Sequence, residues 1–95
     1  MSKTIWKYVL KPINSVNTIE MAVDAEILSV DEQNGQVFIW VALTPELNNF
    51  PRKFIIYATG DTIEFSPHKH IGTVKLNDGA LIFHVFEIWD YPTHG

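Results

Sequence analysis

Ninety-five residues with 46% apolar and 19% charged content suit one folded domain and exclude a disordered segment. A net charge of −4, from seven Lys and Arg against eleven Asp and Glu, excludes duplex nucleic acid as a partner, because phosphate tracking needs a stripe of cations. With no cysteine and no run near the ~20 apolar residues that span a bilayer, disulfides, thiolate chemistry, Cys-ligated zinc and a helical membrane span are excluded as well. The opening Met-Ser-Lys-Thr-Ile-Trp lacks the apolar stretch of a signal peptide, so the expectation is a soluble protein made in the cytosol, with no membrane partner.

Thr4 to Leu10 alternates and is rich in β-branched and aromatic types. It predicts a strand with Trp6, Tyr8 and Leu10 on one face and Ile5, Lys7 and Val9 on the other, ended by Pro12. A polar turn at Asn14 to Asn17 leads to a short strand over Thr18 to Met21. Asn34-Gly35 then centres a hairpin from Ala25 to Thr44, because a type I′ turn needs positive φ at both central residues. Its register pairs Glu32 with Val37, Val30 with Ile39 and Leu28 with Val41 on one face. On the opposite face lie Asp31 with Phe38, Ser29 with Trp40 and Ile27 with Ala42. Both faces of the strand from Val37 to Leu43 are apolar, which predicts a central strand covered on both sides. Pro45 to Pro51 reads as a loop with room for one helical turn, and Arg52 to Ala58 as a strand. Thr59-Gly60-Asp61 breaks that strand, and Thr62 to Lys69 reads as an irregular connection.

Asp78-Gly79 marks a second tight reversal, which pairs Leu76 with Leu81, Lys75 with Ile82, Val74 with Phe83, Thr73 with His84, Gly72 with Val85, Ile71 with Phe86 and His70 with Glu87. One face then collects Leu76, Leu81, Val74, Phe83 and Val85 and is core. The other collects Ile71, Thr73, Lys75, Ile82, His84 and Phe86, a mixture of rings, hydroxyl, imidazole and ammonium suited to a ligand or partner. The last strand ends near Trp89. The fold expected is all-β: a small antiparallel sandwich or partly open barrel of about six or seven strands built from hairpins. It forms a single domain over residues 1–90, with 91–95 as a C-terminal tail. Trp6, Trp40, Trp89 and six Phe exceed what one small core holds, so a homo-oligomer is expected to cover the remainder.

His84 is read in two ways: as a half-buried histidine bonded to Thr73 or backbone, or as a ligand donor beside the stacking surface of Phe86. Thr59-Gly60-Asp61-Thr62 offers amides and hydroxyls that could cradle a phosphate, or is an ordinary turn. Arg52-Lys53, the only basic doublet, steers or clamps an anion, or is a solvated edge. His68, His70 and His84 are the only residues that raise a metal site, against His68 solvated in a loop and His70 paired with Glu87; no metal is assigned. Asp24, Glu26, Asp31, Glu32 and Glu46 read as a solvated acidic rim. No nucleophile and no paired carboxylates stand at a catalytic spacing, so no enzyme activity and no cofactor are expected. The binding residues assigned are Thr73, Lys75, His84, Phe86, Thr59, Gly60 and Arg52.

The blocks Ile-Trp-Lys-Tyr, Glu-Ile-Leu-Ser-Val, Val-Phe-Ile-Trp-Val-Ala-Leu, Tyr-Ala-Thr-Gly, Ile-Gly-Thr-Val and Leu-Ile-Phe-His-Val-Phe-Glu, in that order from Ile5 to Glu87, resemble a family of small proteins encoded in tailed phages and prophages. The usual form of that family has Pro-Lys-Gly-Ala where this chain has Ala22-Val23-Asp24-Ala25, and Thr-Gly-His where it has Thr59-Gly60-Asp61. The resemblance implies a phage accessory protein in the host bacterial cytoplasm. By analogy of class, such a protein counters host defence by sequestering a nucleotide-derived signal, such as a cyclic nucleotide or a cyclic ADP-ribose derivative. The alternatives are a protein-binding inhibitor of a host defence or regulatory protein, a structural accessory protein, and a small hydrolase of the signal.

Overall fold

A computed structural model describes residues 1–11, 14–65, 67–76 and 78–89. Its strands in chain order are β1 (Thr4–Leu10), β2 (Asn17–Ala22), β3 (Glu26–Gln33), β4 (Gln36–Leu43), β5 (Asn49–Ala58), β6 (His68–Leu76) and β7 (Leu81–Ile88). All pairs are antiparallel, in a three-stranded sheet ordered β1-β4-β3 and a four-stranded sheet ordered β2-β5-β7-β6. The chain is therefore an all-β sandwich and not a closed barrel. Pro12, the expected stop of β1, and the expected tail at 91–95 lie outside the described residues.

Alternation builds the interior. Val37, Ile39, Val41 and Leu43 of β4 face Phe54 and Ile56 of β5, Val74 and Leu76 of β6, and Val85 of β7, all buried. Each such side chain removed from water contributes roughly 1.5–3 kcal/mol. Both predicted reversals are present, with positive φ at Asn34 (54°) and Gly35 (80°) and at Asp78 (55°) and Gly79 (90°). The outer face of β4 is covered without a second layer. Lys7 lies 4.9 Å from the Phe38 ring centroid and 5.7 Å from that of Trp40, while the two rings meet edge to face at 5.1 Å.

Five expectations are corrected. Leu81, expected in the core, is 44% exposed, and β6 begins at His68, inside the segment expected to be irregular. In β3 the register shifts between Ile27 and Ser29, so Ile27 pairs with Val41 and Glu26 with Ala42. Leu28 is the extra residue and is 46% exposed, while Ile27 packs against the core. In β6 the register shifts between His70 and Gly72, so His70 opposes Phe86, Lys69 opposes Glu87, and Ile71 packs against the core instead of facing outward. Finally, β5 starts at Asn49, so Phe50 and Pro51 belong to a strand and not a loop. Proline is tolerated there because β7 pairing begins only at Lys53 with Ile88, leaving one side of Pro51 without a neighbour that needs its N–H. No helical turn forms before it; Leu47 N–H donates to Thr44 O in a hydrogen-bonded turn at 3.1 Å.

Gly72 explains how the sheets approach at β3 and β6. A Cβ at that position would stand 3.1 Å from Val30 Cγ2 and 3.2 Å from Val30 Cβ. Since Val30 Cβ is fixed to backbone, overpacking outweighs the ~0.5–1 kcal/mol that alanine gains in chain entropy. Gly72→Ala is expected to lower stability by about 1 kcal/mol, and adding Val30→Ala should recover part of it; additive losses in a thermal double-mutant cycle would mean the two positions do not meet.

Asp24 closes the turn between β2 and β3. Its Oδ2 accepts from the Thr44 hydroxyl at 2.6 Å and its Oδ1 from the Thr44 amide at 3.0 Å. These bonds favour the ionised form and hold the carboxyl below its ordinary value. A depressed folded-state pKa gives stability that is present above the unfolded pKa and is lost as pH falls through the folded one. Asp24→Asn should therefore be destabilising near neutrality, with the gap in Tm from wild type shrinking as pH falls below the ordinary Asp value of about 4; a gap constant with pH would contradict this role.

Candidate functional site

The expected binding face is the outer face of the four-stranded sheet, where Tyr57, His84 and Thr73 stand side by side on β5, β7 and β6. Thr59 Oγ1 lies 2.9 Å from His84 Nε2, Thr73 Oγ1 lies 3.1 Å from His84 Nδ1, and His70 Nε2 lies 3.0 Å from the same Thr73 oxygen. The Thr73 hydroxyl has one proton for two imidazole nitrogens, so it donates to one and accepts from the other. Phe86 sits one step along, met edge to face by Tyr57 at 5.9 Å, His68 at 5.5 Å and His70 at 5.3 Å. Lys75 is exposed on the same face, opposite Ile82. Thr59, Thr73 and His84 thus come together, with Phe86 and Lys75 beside them. However, both His84 nitrogens are already engaged, and the clefts described below are lined by other residues.

The Gly60 turn is closed on itself. Gly60 has φ of 101°, Asp61 N–H donates to Ala58 O at 3.0 Å, and Ala58 N–H donates to Asp61 Oδ2 at 2.8 Å. Thr59 N–H donates to Ile82 O at 3.3 Å, so these amides point at protein and not at an anion. His70 and His84 share the Thr73 hydroxyl, while His68 is turned to Phe65. His68 Nδ1 bonds Phe65 O at 2.8 Å, and among the described residues no group of three or more His, Cys, Asp or Glu is placed to hold a metal ion.

Arg52 stands apart from the other assigned residues, on the inner side of β5. Its Nε and Nη2 donate to Glu87 at 2.7 and 2.8 Å, and its Nη1 donates to Ala25 O at 2.6 Å. It does clamp an anion, but an internal one. Removing either partner of such a buried pair costs about 3–5 kcal/mol, because the other charge is stranded.

Beside this pair lies a cleft of about 580 Å³, whose walls include Phe50, Arg52, Lys53, Lys69, Glu87 and Trp89. Its origin is the strand overhang. β7 stops at Ile88 while β5 runs back through Phe50, so the segment before Lys53 has β2 on one side and a gap on the other. Phe50 is 57% and Trp89 39% exposed, and three of the seven cations of the chain line the gap. Of the residues assigned from sequence, only Arg52 belongs to it. Phe50 and Lys69 were missed because they fell in predicted loops, and Trp89 because it closed the last strand; the excess of aromatic residues over core capacity was the available signal.

The chain matches the family model described as "Domain of unknown function (DUF7352)" over residues 1–93. Neither the curated proteins nor the solved structures give a match. With the match spanning both sheets and every strand described above, the chain belongs to the DUF7352 domain family.

Proposed function

We propose that the chain is a non-catalytic phage accessory protein that counters host defence in the bacterial cytoplasm by capturing a nucleotide-derived signal. The observation that carries the reading is the cleft in which exposed Phe50 and Trp89 stand with Arg52, Lys53 and Lys69. Stacking of a base on an aromatic ring contributes ~1–3 kcal/mol, and a charge-assisted hydrogen bond ~1.5–3 kcal/mol. One ring and two such bonds supply roughly 4–9 kcal/mol, from which the entropy lost on association must be deducted before the ~8 kcal/mol of micromolar binding is reached, so both rings, or a second protomer over the cleft, would be engaged. Capture without turnover is supported by the lining: among the described residues its one carboxylate, Glu87, has both oxygens on Arg52, and no serine, cysteine or histidine lines it. The phage setting rests on the ordered sequence blocks from Ile5 to Glu87.

A second reading, a module that docks on a protein or on its own copy, is favoured by the outer face of the three-stranded sheet. There Ile5 is 63%, Val9 40% and Leu28 46% exposed around Trp40.

The test is capture and release. The purified chain is incubated with cyclic nucleotides and ADP-ribose derivatives, washed, heated and the supernatant identified. Intact nucleotide, with retention cut at least ~10-fold by Phe50→Ala or Lys69→Ala and left unchanged by His84→Ala, is the expected result. Chemically altered product would indicate a hydrolase, and no retention would favour the docking reading.

A further inference from the structure

We propose that the crevice continues past the Arg52–Glu87 pair and takes a second, uncharged and hydroxyl-bearing half of the same ligand. This rests on the nucleotide reading above and names the class of ligand more closely: a planar ring, a central anion and a polyol. On the far side of the ion pair lies a second cleft of about 390 Å³ that shares Arg52, Lys69 and Glu87 with the first as a common wall. Its remaining walls include Glu26, Ile27, His70 and Ile71.

Both strand irregularities of the sandwich meet in this second cleft. The extra residue Leu28 turns Ile27 inward, and the bulge at Ile71 turns that residue inward while delivering His70 to the rim. Bulges re-aim side chains, and here two of them on facing sheets build one cavity. Its chemistry differs from that of the first cleft. Ile27 and Ile71 give an apolar surface that suits the face of a sugar ring, whereas Glu26 and His70, set by the register on the outer faces opposite Ala42 and Phe86, border its rim with polar groups. Glu26 has no hydrogen-bond or ion-pair partner among the described residues, so its carboxylate is an unengaged acceptor. His70 Nε2 is held by Thr73 at 3.0 Å, which leaves Nδ1 for a ligand. Carboxylate and imidazole take hydroxyl or amino donors, and Glu26 repels a phosphate. The cation-lined first cleft takes the anion, and Glu26 requires the far half to be uncharged.

Three probes separate the parts: AMP, ADP and ADP-ribose, titrated calorimetrically against the full chain and two variants, Glu26→Gln and His70→Asn. ADP-ribose should bind at least ~10-fold more tightly than ADP, even though ADP ends in the more highly charged group. Glu26→Gln should reduce that preference to under ~3-fold and leave AMP unchanged, and His70→Asn should weaken ADP-ribose alone. ADP equal to or tighter than ADP-ribose, or a variant that weakens all probes alike, would overturn the inference while the nucleotide reading stands. Binding of none of the three would overturn this inference, and the nucleotide reading would then stand or fall on the capture of cyclic nucleotides in the test above.

Discussion

The sandwich depends on a single inserted residue and the glycine that follows it. Without the bulge at Ile71, strict alternation would leave that side chain on the outer face and turn His70 inward toward Glu87. With it, Ile71 joins the core and His70 reaches the outer face, while Gly72, opposite Val85 in either register, leaves the space that Val30 of the facing sheet needs. No larger residue at position 72 could let the β3 and β6 edges come as close. The same one-residue shift therefore serves packing, by adding an apolar side chain to the interior, and surface chemistry, by grouping His70 with Thr73, His84 and Phe86.

A second constraint acts at the opposite corner, where hydrophobic packing gives way to an ion pair. Glu87 occupies an inward position of β7 between the alternating apolar residues, and its side chain is only 7% exposed. Its carboxylate would be costly there without Arg52, and the pair is completed by Ala25 O, so one guanidinium joins β5, β7 and the turn before β3. An apolar pair of similar volume would give comparable stability at less desolvation cost. What the ion pair adds is a polar, shaped partition at the open end of the sandwich, and both clefts use it as a wall. This also explains why Arg52 is a poor direct ligand: an incoming phosphate would compete with a carboxylate already held in a bidentate grip.

The parts of the fold that were legible in the sequence are those governed by short-range chemistry. Asn34-Gly35 and Asp78-Gly79 announce their turns because few dipeptides accept positive φ twice, and the pairs next to each turn follow without ambiguity. Legibility fades with distance from the turn, since one extra residue inverts every later side chain. Leu28 and Ile71 hid the shifts because both are apolar and suit either face; Gly72, inside a strand and beside an unexplained aliphatic, was the one local hint. Pro51 misled in a different way. It argues against a strand when pairing is assumed on both sides, and only the unequal lengths of β5 and β7 create the half-open position it occupies. The first cleft stands on that inequality, so it could not be read from periodicity.

Polar residues on an apolar sheet are ambiguous because the same hydroxyls and imidazoles can serve a ligand or one another. Here they serve one another: Thr59, His84, Thr73 and His70 form one hydrogen-bonded row across β7 and β6 from the end of β5, laid along strands whose backbones are already paired. A ligand that took His84 would have to replace two existing bonds with two of its own, for little net gain in water-accessible surroundings. In the clefts the balance is different. Backbone pairing runs out at Ile88 and side chains turn out of register at Leu28 and Ile71, so groups such as Phe50, Trp89 and Glu26 are held in place without having one another as partners. On the reading proposed above, recognition belongs where the lattice of β pairing is interrupted, because there the fold positions chemistry that it does not itself consume.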